Sequence, residues 1–101
     1  MRTINIFLTD PMAGDLPDFE NGDLCYAFAR LYPDGPRRLV EGPVCAFVDW
    51  VMDDLSGLEM CRRLRSDPRM QDAHITIVLE EDDAQDKRRA LRAGADDYIT
   101  G

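Results

Sequence analysis

An aspartate at the end of a short apolar run is the residue of this chain best placed to do chemistry. Residues 44–48 are apolar and precede Asp49, and a run of this length predicts a buried strand. In open parallel sheets, ligands and reacting groups gather at the carboxyl ends of strands, so Asp49 is placed for metal or phosphoryl chemistry. Aspartate is also a common turn former, and a simple turn-opening role for Asp49 is the competing interpretation.

A second strand with an acid at its end is predicted near the start of the chain. Residues 4–10 are rich in strand-forming side chains and finish at Asp10, immediately before Pro11. Two predicted strands therefore end in aspartate.

The elements that must position these acids alternate between strand and helix. Further strands are predicted over 24–31, 43–50, 75–79 and from 97 onward, although 24–31 also fits a helix. Helices are predicted over 58–65, which stops at Asp67-Pro68, and over 83–93, which is capped by Gly94. Only weak helices are expected at 15–20 and 37–41, because glycine and proline interrupt both regions. This order predicts an α/β fold with a doubly wound parallel sheet of five strands.

Size, charge and cysteine content narrow the possible functions. The chain has 101 residues, which is enough for one domain, and its net charge of −8 disfavours direct nucleic-acid binding. Its three cysteines are an odd number without metal-ligand spacing, which indicates reduced thiols. No segment resembles a membrane span or a signal peptide, so we expect no membrane association and a cytoplasmic location.

Several motifs in the second half of the chain are typical of one protein family. They are Phe47-Val48-Asp49-Trp50, Leu55-Ser56-Gly57-Leu58-Glu59, Cys61-Arg62-Arg63-Leu64-Arg65 and Ala93-Gly94-Ala95-Asp96-Asp97-Tyr98-Ile99-Thr100. With these motifs in this order, the chain resembles the receiver domain of bacterial two-component response regulators. The resemblance implies a flavodoxin-like sheet with strand order 2-1-3-4-5, here with the last helix missing and the first two helices weak. It also implies that residues 1–101 are the amino-terminal part of a longer signalling protein.

The resemblance assigns roles to the acids at the strand ends. Asp49 takes the position of the phosphoacceptor, and Thr9 and Asp10 take the two positions where family members carry metal-binding acids. We therefore expect weak Mg²⁺ binding by Asp10, Asp49 and the backbone carbonyl of Val51. The implied partners are a histidine kinase or phosphotransfer protein and an output domain.

Other positions depart from the family pattern and predict a degenerate, atypical receiver. Leu79 replaces a hydroxyl residue, Glu80 replaces a small residue, and Gly101 takes the place of a lysine. Without a hydroxyl at Leu79, Tyr98 is expected to be a half-buried strand residue and not a switch. A phosphoryl group on Asp49 would lack the cation and the hydroxyl that stabilise its negative charge, and it would be repelled by the added acid.

Three functions from different classes follow. The preferred one is a non-enzymatic signalling domain that acts through protein contact or homodimerisation, because a missing helix would leave one sheet face poorly covered. The second is a functional phosphoacceptor that a histidine kinase phosphorylates on Asp49. The third, a small Mg²⁺-dependent phosphohydrolase, is disfavoured because such enzymes use a second acid two residues later, where this chain has Val51.

Overall fold

A six-stranded sheet forms the centre of the computed structural model, which describes residues 2–38 and 40–100. Five of its strands are parallel, and the short second strand pairs antiparallel with the third. The strands are β1 (Arg2–Leu8), β2 (Phe19–Asn21), β3 (Leu24–Arg30), β4 (Val44–Asp49), β5 (His74–Leu79) and β6 (Asp97–Thr100), in the spatial order β2-β3-β1-β4-β5-β6. The predicted order of the five parallel strands is confirmed, and residues 24–30 form a strand.

The region after β1 differs from the predicted weak helix over 15–20. A 3₁₀ helix (Pro11–Asp15) forms earlier, because Asp10 caps it with a carboxylate that accepts a hydrogen bond of 2.8 Å from the Met12 backbone N–H. Residues 19–21 become β2, which turns into β3 at Gly22, whose φ of 63° suits glycine. The expected stub over 37–41 is not helical in its described part, and Leu39 lies outside the described residues.

Both predicted longer helices are confirmed. Helix α1 (Gly57–Ser66) starts where the Ser56 hydroxyl accepts a hydrogen bond from the Glu59 N–H, and it ends before Pro68. Helix α2 (Ala84–Ala93) is capped by Asp83 and ends at Gly94, which has a φ of 113°. Across the described ranges, neither these helices nor the 3₁₀ helix is long and apolar enough to cross a bilayer.

The two helices lie on the same side of the sheet. They contact each other, and with the buried residues of β4 and β5, such as Val48 and Ile77, they enclose the main core. Alternation along the strands puts Ile6, Phe47 and Ile99 on the opposite side, which no α-helix covers within the described parts of the chain. The accessible surface is 6316 Å², against about 5,800 Å² expected for a compact monomer of this size. One face of the sheet therefore stays open.

Arg65 ties the end of α1 to the segments around it. Its guanidinium donates to the carbonyls of Gly94 at 2.7 Å, Gln71 at 2.9 Å and Ala73 at 2.8 Å, and to the Asp96 carboxylate at 2.5 Å. A single side chain thus connects the loop before β5 with the loop before β6. Without the Arg65 guanidinium, the three carbonyl oxygens and the Asp96 carboxylate would each lose a hydrogen-bond donor in a partly buried region, which is unfavourable.

Replacing Arg65 by Met should lower the free energy of unfolding by about 2 kcal/mol, because several acceptors lose a charged donor. The exposed Arg62, whose ion pair among the described residues is with Glu59, is the control, and Arg62→Met should cost less than about 0.5 kcal/mol. Urea denaturation followed by circular dichroism measures both values. Equal losses for the two variants would contradict this role of Arg65.

The same contact predicts a pH dependence. Burial alone raises the pKa of Asp96, but the Ile75 N–H and the Arg65 guanidinium lower it overall. Because the folded state holds this carboxyl in its ionised form, its stabilising contribution is present above the unfolded pKa and is lost as the pH falls through the lowered pKa. The difference in stability between the wild type and Arg65→Met should therefore shrink in acid.

The three cysteines should differ in reactivity. All are free thiols; Cys61 lies on the buried face of α1, and Cys25 and Cys45 are half-buried. Burial raises the pKa of Cys61 to about 11, so little thiolate forms at pH 8. Iodoacetamide should label Cys61 more slowly than Cys25 and Cys45, as measured by peptide mass spectrometry over time. Labelling of all three at one rate would argue against this packing.

Candidate functional site

The ends of two neighbouring central strands meet at Asp49. Asp49 is the last residue of β4 and is half-buried, and Thr9 follows β1 and is only 7% exposed. The Thr9 hydroxyl donates to Oδ2 of Asp49 at 2.8 Å, and the Asp49 backbone N–H donates to the same hydroxyl at 2.9 Å. A side-chain hydroxyl therefore engages the candidate phosphoacceptor directly.

Local sequence explains this arrangement. Parallel pairing sets Leu8 beside Phe47, so Thr9, the residue after β1, is level with Val48 and lies one position short of Asp49, which its side-chain hydroxyl reaches. After Asp49 the chain loops out and returns at Gly57, where an added Cβ would lie 2.3 Å from the Asp49 carbonyl oxygen. Only glycine allows this close approach, which accounts for the Ser56-Gly57 pair at the start of α1.

A small cleft opens above the Thr9–Asp49 pair. Its volume is about 110 Å³, and it is lined by Thr9, Pro11, Arg30, Leu31, Pro33, Asp49, Val51, Met52, Asp53 and Asp54. Arg30 was not predicted as a site residue from the sequence. It lies at the carboxyl end of β3, however, and the same kind of position indicated Asp49 at the end of β4. The cleft combines three acids, one hydroxyl and one cation.

The structure separates the ligands predicted for Mg²⁺. Asp49 and Val51 line the cleft, but Asp10 does not, and its carboxylate instead caps the 3₁₀ helix. Within residues 2–38 and 40–100, no three Asp, Glu, His or Cys side chains are grouped closely enough to hold a metal ion. Since a hard divalent cation prefers carboxylate oxygens, the neutral hydroxyl of Thr9 is a poor substitute for an acid. These residues do not fit a full metal site, and Mg²⁺ binding stays a prediction.

The other predicted positions that the structure describes do not line the cleft. Leu79 is 1% exposed and belongs to the core under the helices, so it presents no donor to Asp49. Glu80 is exposed and lines a neighbouring cleft with Trp50 and Val51. Tyr98 is half-buried, with the Lys87 ammonium 5.3 Å from its ring centre. Gly101 lies outside the described residues.

The Thr9 hydroxyl should contribute measurably to stability. Thr9→Val keeps the shape of the side chain but removes both hydrogen bonds to Asp49, and it should lower the free energy of unfolding by about 1–3 kcal/mol. Thr9→Ser retains the hydroxyl and is the matched control. Urea denaturation compares the two variants, and a valine variant as stable as the serine variant would show that these bonds contribute nothing.

Comparison with known proteins gives the family. The family model described as the response regulator receiver domain matches residues 39–100. The phosphate regulon transcriptional regulatory protein PhoB of Rhizobium meliloti is 35% identical over 57 residues, which cover 56% of this chain and 25% of that protein. The matched part of this chain thus spans 25% of the length of this relative.

Solved structures share the fold over nearly the whole chain. A two-component response regulator from Clostridium difficile has a TM-score of 0.63 at 16% identity, with 99% of this chain and 83% of that chain covered. The Mn²⁺-bound form of response regulator Rcp1 has a TM-score of 0.59 at 10% identity, with 99% of this chain and 81% of that chain covered. The sheet order, the aspartate at the end of β4 and the family match lead to one conclusion: this chain belongs to the response regulator receiver domain family of two-component signalling.

Proposed function

We propose that this receiver domain signals through contact with other proteins and that Asp49 is not an ordinary phosphoswitch. The observation that carries the proposal is the Thr9 hydroxyl, which donates to Oδ2 of Asp49 at 2.8 Å. In this arrangement a neutral hydrogen-bond donor takes the place of a metal-binding acid next to the phosphoacceptor position.

The chemistry of the cleft supports the proposal. Phosphoryl transfer depends on positioned cations and donors that stabilise charge on the phosphoryl oxygens. Here Asp53 and Asp54 line the cleft with Asp49, so a phosphoryl group would enter among like charges, with Arg30 as the cation among the lining residues. Leu79 cannot donate a hydrogen bond. We assign no catalytic role to Asp49.

The full proposal places the domain in a longer signalling protein. Its relative PhoB is a transcriptional regulatory protein about four times the length of the matched segment, since the match covers 25% of it. We propose that an output domain and a histidine kinase or phosphotransfer protein are the partners of this chain. The contacts among these proteins, and not a phosphoryl group on Asp49, would carry the signal.

Phosphorylation can be tested directly by incubating the domain with Mg²⁺ and acetyl phosphate. Intact-mass spectrometry should show no stable phosphoryl adduct. A mass gain of one phosphoryl group that disappears in Asp49→Asn would instead support the alternative function, a working phosphoacceptor.

A restored variant makes that negative result informative. Thr9→Asp combined with Leu79→Thr supplies the acid and the hydroxyl that the family pattern calls for. This double variant should gain the adduct and bind Mg²⁺ more tightly than the wild type, as measured by calorimetry. If the double variant also lacks an adduct, the cause of inactivity lies elsewhere than Thr9 and Leu79.

The open face of the sheet is the surface that we propose for contact with a second copy of the chain. It is roughly 30 Å wide and 20 Å long, or about 600 Å², which is somewhat smaller than the roughly 800 Å² per partner of a standard interface. Half-buried apolar residues such as Ile6 and Phe47 lie on it, and Ile99 at its edge is 45% exposed. Two sheets that pack face to face would remove this apolar surface from water.

The dimer is tested by sedimentation of the purified chain. Ile99→Asp puts a charge on the open face and should shift the population toward monomer. Leu91→Asp, at a comparably exposed position on α2 (48%), is the matched control and should leave the association unchanged. A wild-type chain that sediments as a monomer at high concentration would remove homodimerisation from the proposal.

A further inference from the structure

A second cleft lies beside the edge of β3. It has a volume of about 440 Å³, and four of its lining residues, Arg30, Tyr32, Arg37 and Arg38, define what we call the arginine cleft. Strand β2 pairs with β3 only as far as Tyr26, so the residues of β3 beyond it lie at an open edge. The cleft is therefore accessible from solvent along that edge.

The positive charges in the arginine cleft are concentrated around one ring. The guanidinium carbons of Arg30 and Arg37 lie 4.8 Å and 3.8 Å from the centre of the Tyr32 ring. Contact with the ring stabilises each cation, but it also gathers two like charges around one side chain. A bound anion nearby would offset their repulsion.

These arginines also lack internal counter-ions. The chain has 20 acidic and 12 basic residues, yet Arg30, Arg37 and Arg38 form no ion pair with any carboxylate in the described ranges. Other arginines of the chain do form ion pairs with carboxylates, for example Arg65 with Asp96. Three uncompensated cations around one cleft in an acidic protein indicate a site for a negatively charged ligand.

Arg30 gives independent support. Its Nε is buried and has no hydrogen-bond partner among the described residues. A buried donor is costly when it stays unsatisfied, and such atoms in native proteins are usually paired with a ligand, an ion or water. Because Arg30 lines both the arginine cleft and the Asp49 cleft, the site adjoins the family's phosphoacceptor position.

We propose that the arginine cleft binds a small phosphate-type oxyanion, without covalent chemistry. The planar, permanently charged guanidinium groups match the geometry of phosphate oxygens and can donate two hydrogen bonds each. A multiply charged phosphate suits three neighbouring arginines better than a single carboxylate does. Phe28 and Arg30 pair with Ile6 and Leu8, so this site borders the open face of the sheet, but anion binding there requires neither a dimer nor a phosphoryl group on Asp49.

A cluster on α2 provides a stringent comparison. Arg88 and Arg92 are also exposed and form no ion pair with the described carboxylates, and they share a shallow cleft with Gln85 and Arg89. That cleft has no aromatic ring, and Arg89 is paired with Asp86 at 3.3 Å. A purely non-specific attraction of anions would act at both clusters, whereas the proposed site is confined to the arginine cleft.

The test is a titration of the full chain with inorganic phosphate and with pyrophosphate, without Mg²⁺ and at constant ionic strength set by sodium chloride. Amide chemical shifts should saturate, with the largest changes at residues 28–38. Arg37→Gln, an exposed position that should not disturb folding, should weaken binding by about tenfold, the loss of one charge-assisted hydrogen bond. Arg88→Gln should leave binding unchanged. The proposal is overturned if the shifts do not saturate, or if the two variants weaken binding equally.

Discussion

The site of this domain depends on the paired hydrogen bonds between Thr9 and Asp49. They join the carboxyl ends of β1 and β4, the two central strands, through one hydroxyl that both donates and accepts. Because the hydroxyl is nearly buried, it has few alternative partners, and the Asp49 carboxylate is held toward β1. In the function that we propose, this hydroxyl occupies the space that metal and phosphoryl chemistry at Asp49 would need.

The uneven covering of the sheet is a second consequence of how the chain is built. Both α-helices follow strands on the β4–β5–β6 side, and they pack against each other on one face. The described part of the chain between β1 and β4 supplies a 3₁₀ helix, the strands β2 and β3 and irregular loops, but no α-helix. The apolar positions of the other face therefore remain half-covered, which is why contact with another protein is the function that we propose.

Charge is also distributed unevenly over the fold. Arg65 is used structurally, since it joins four acceptors around the ends of α1 and α2. Arg30, Arg37 and Arg38 have no such role and gather around Tyr32. The net charge of −8 conceals this local excess of positive charge, because it averages over the whole chain. A domain that repels polyanions in general can still bind a small anion at one place.

The sequence by itself determined both long helices and the position of Asp49, because these depend on apolar periodicity, caps and motifs that are local in the chain, while the strand order followed from the family resemblance that those motifs carry. Only the tertiary structure decided which neighbours Asp49 has. Thr9 lies 40 positions from it, and its hydroxyl reaches the carboxylate only through the register of β1 on β4. The same holds for Arg30, which reaches the Asp49 cleft from the end of β3. These contacts join residues distant in sequence, and their geometry is set by strand pairing and loop closure, which residue types and spacing do not specify.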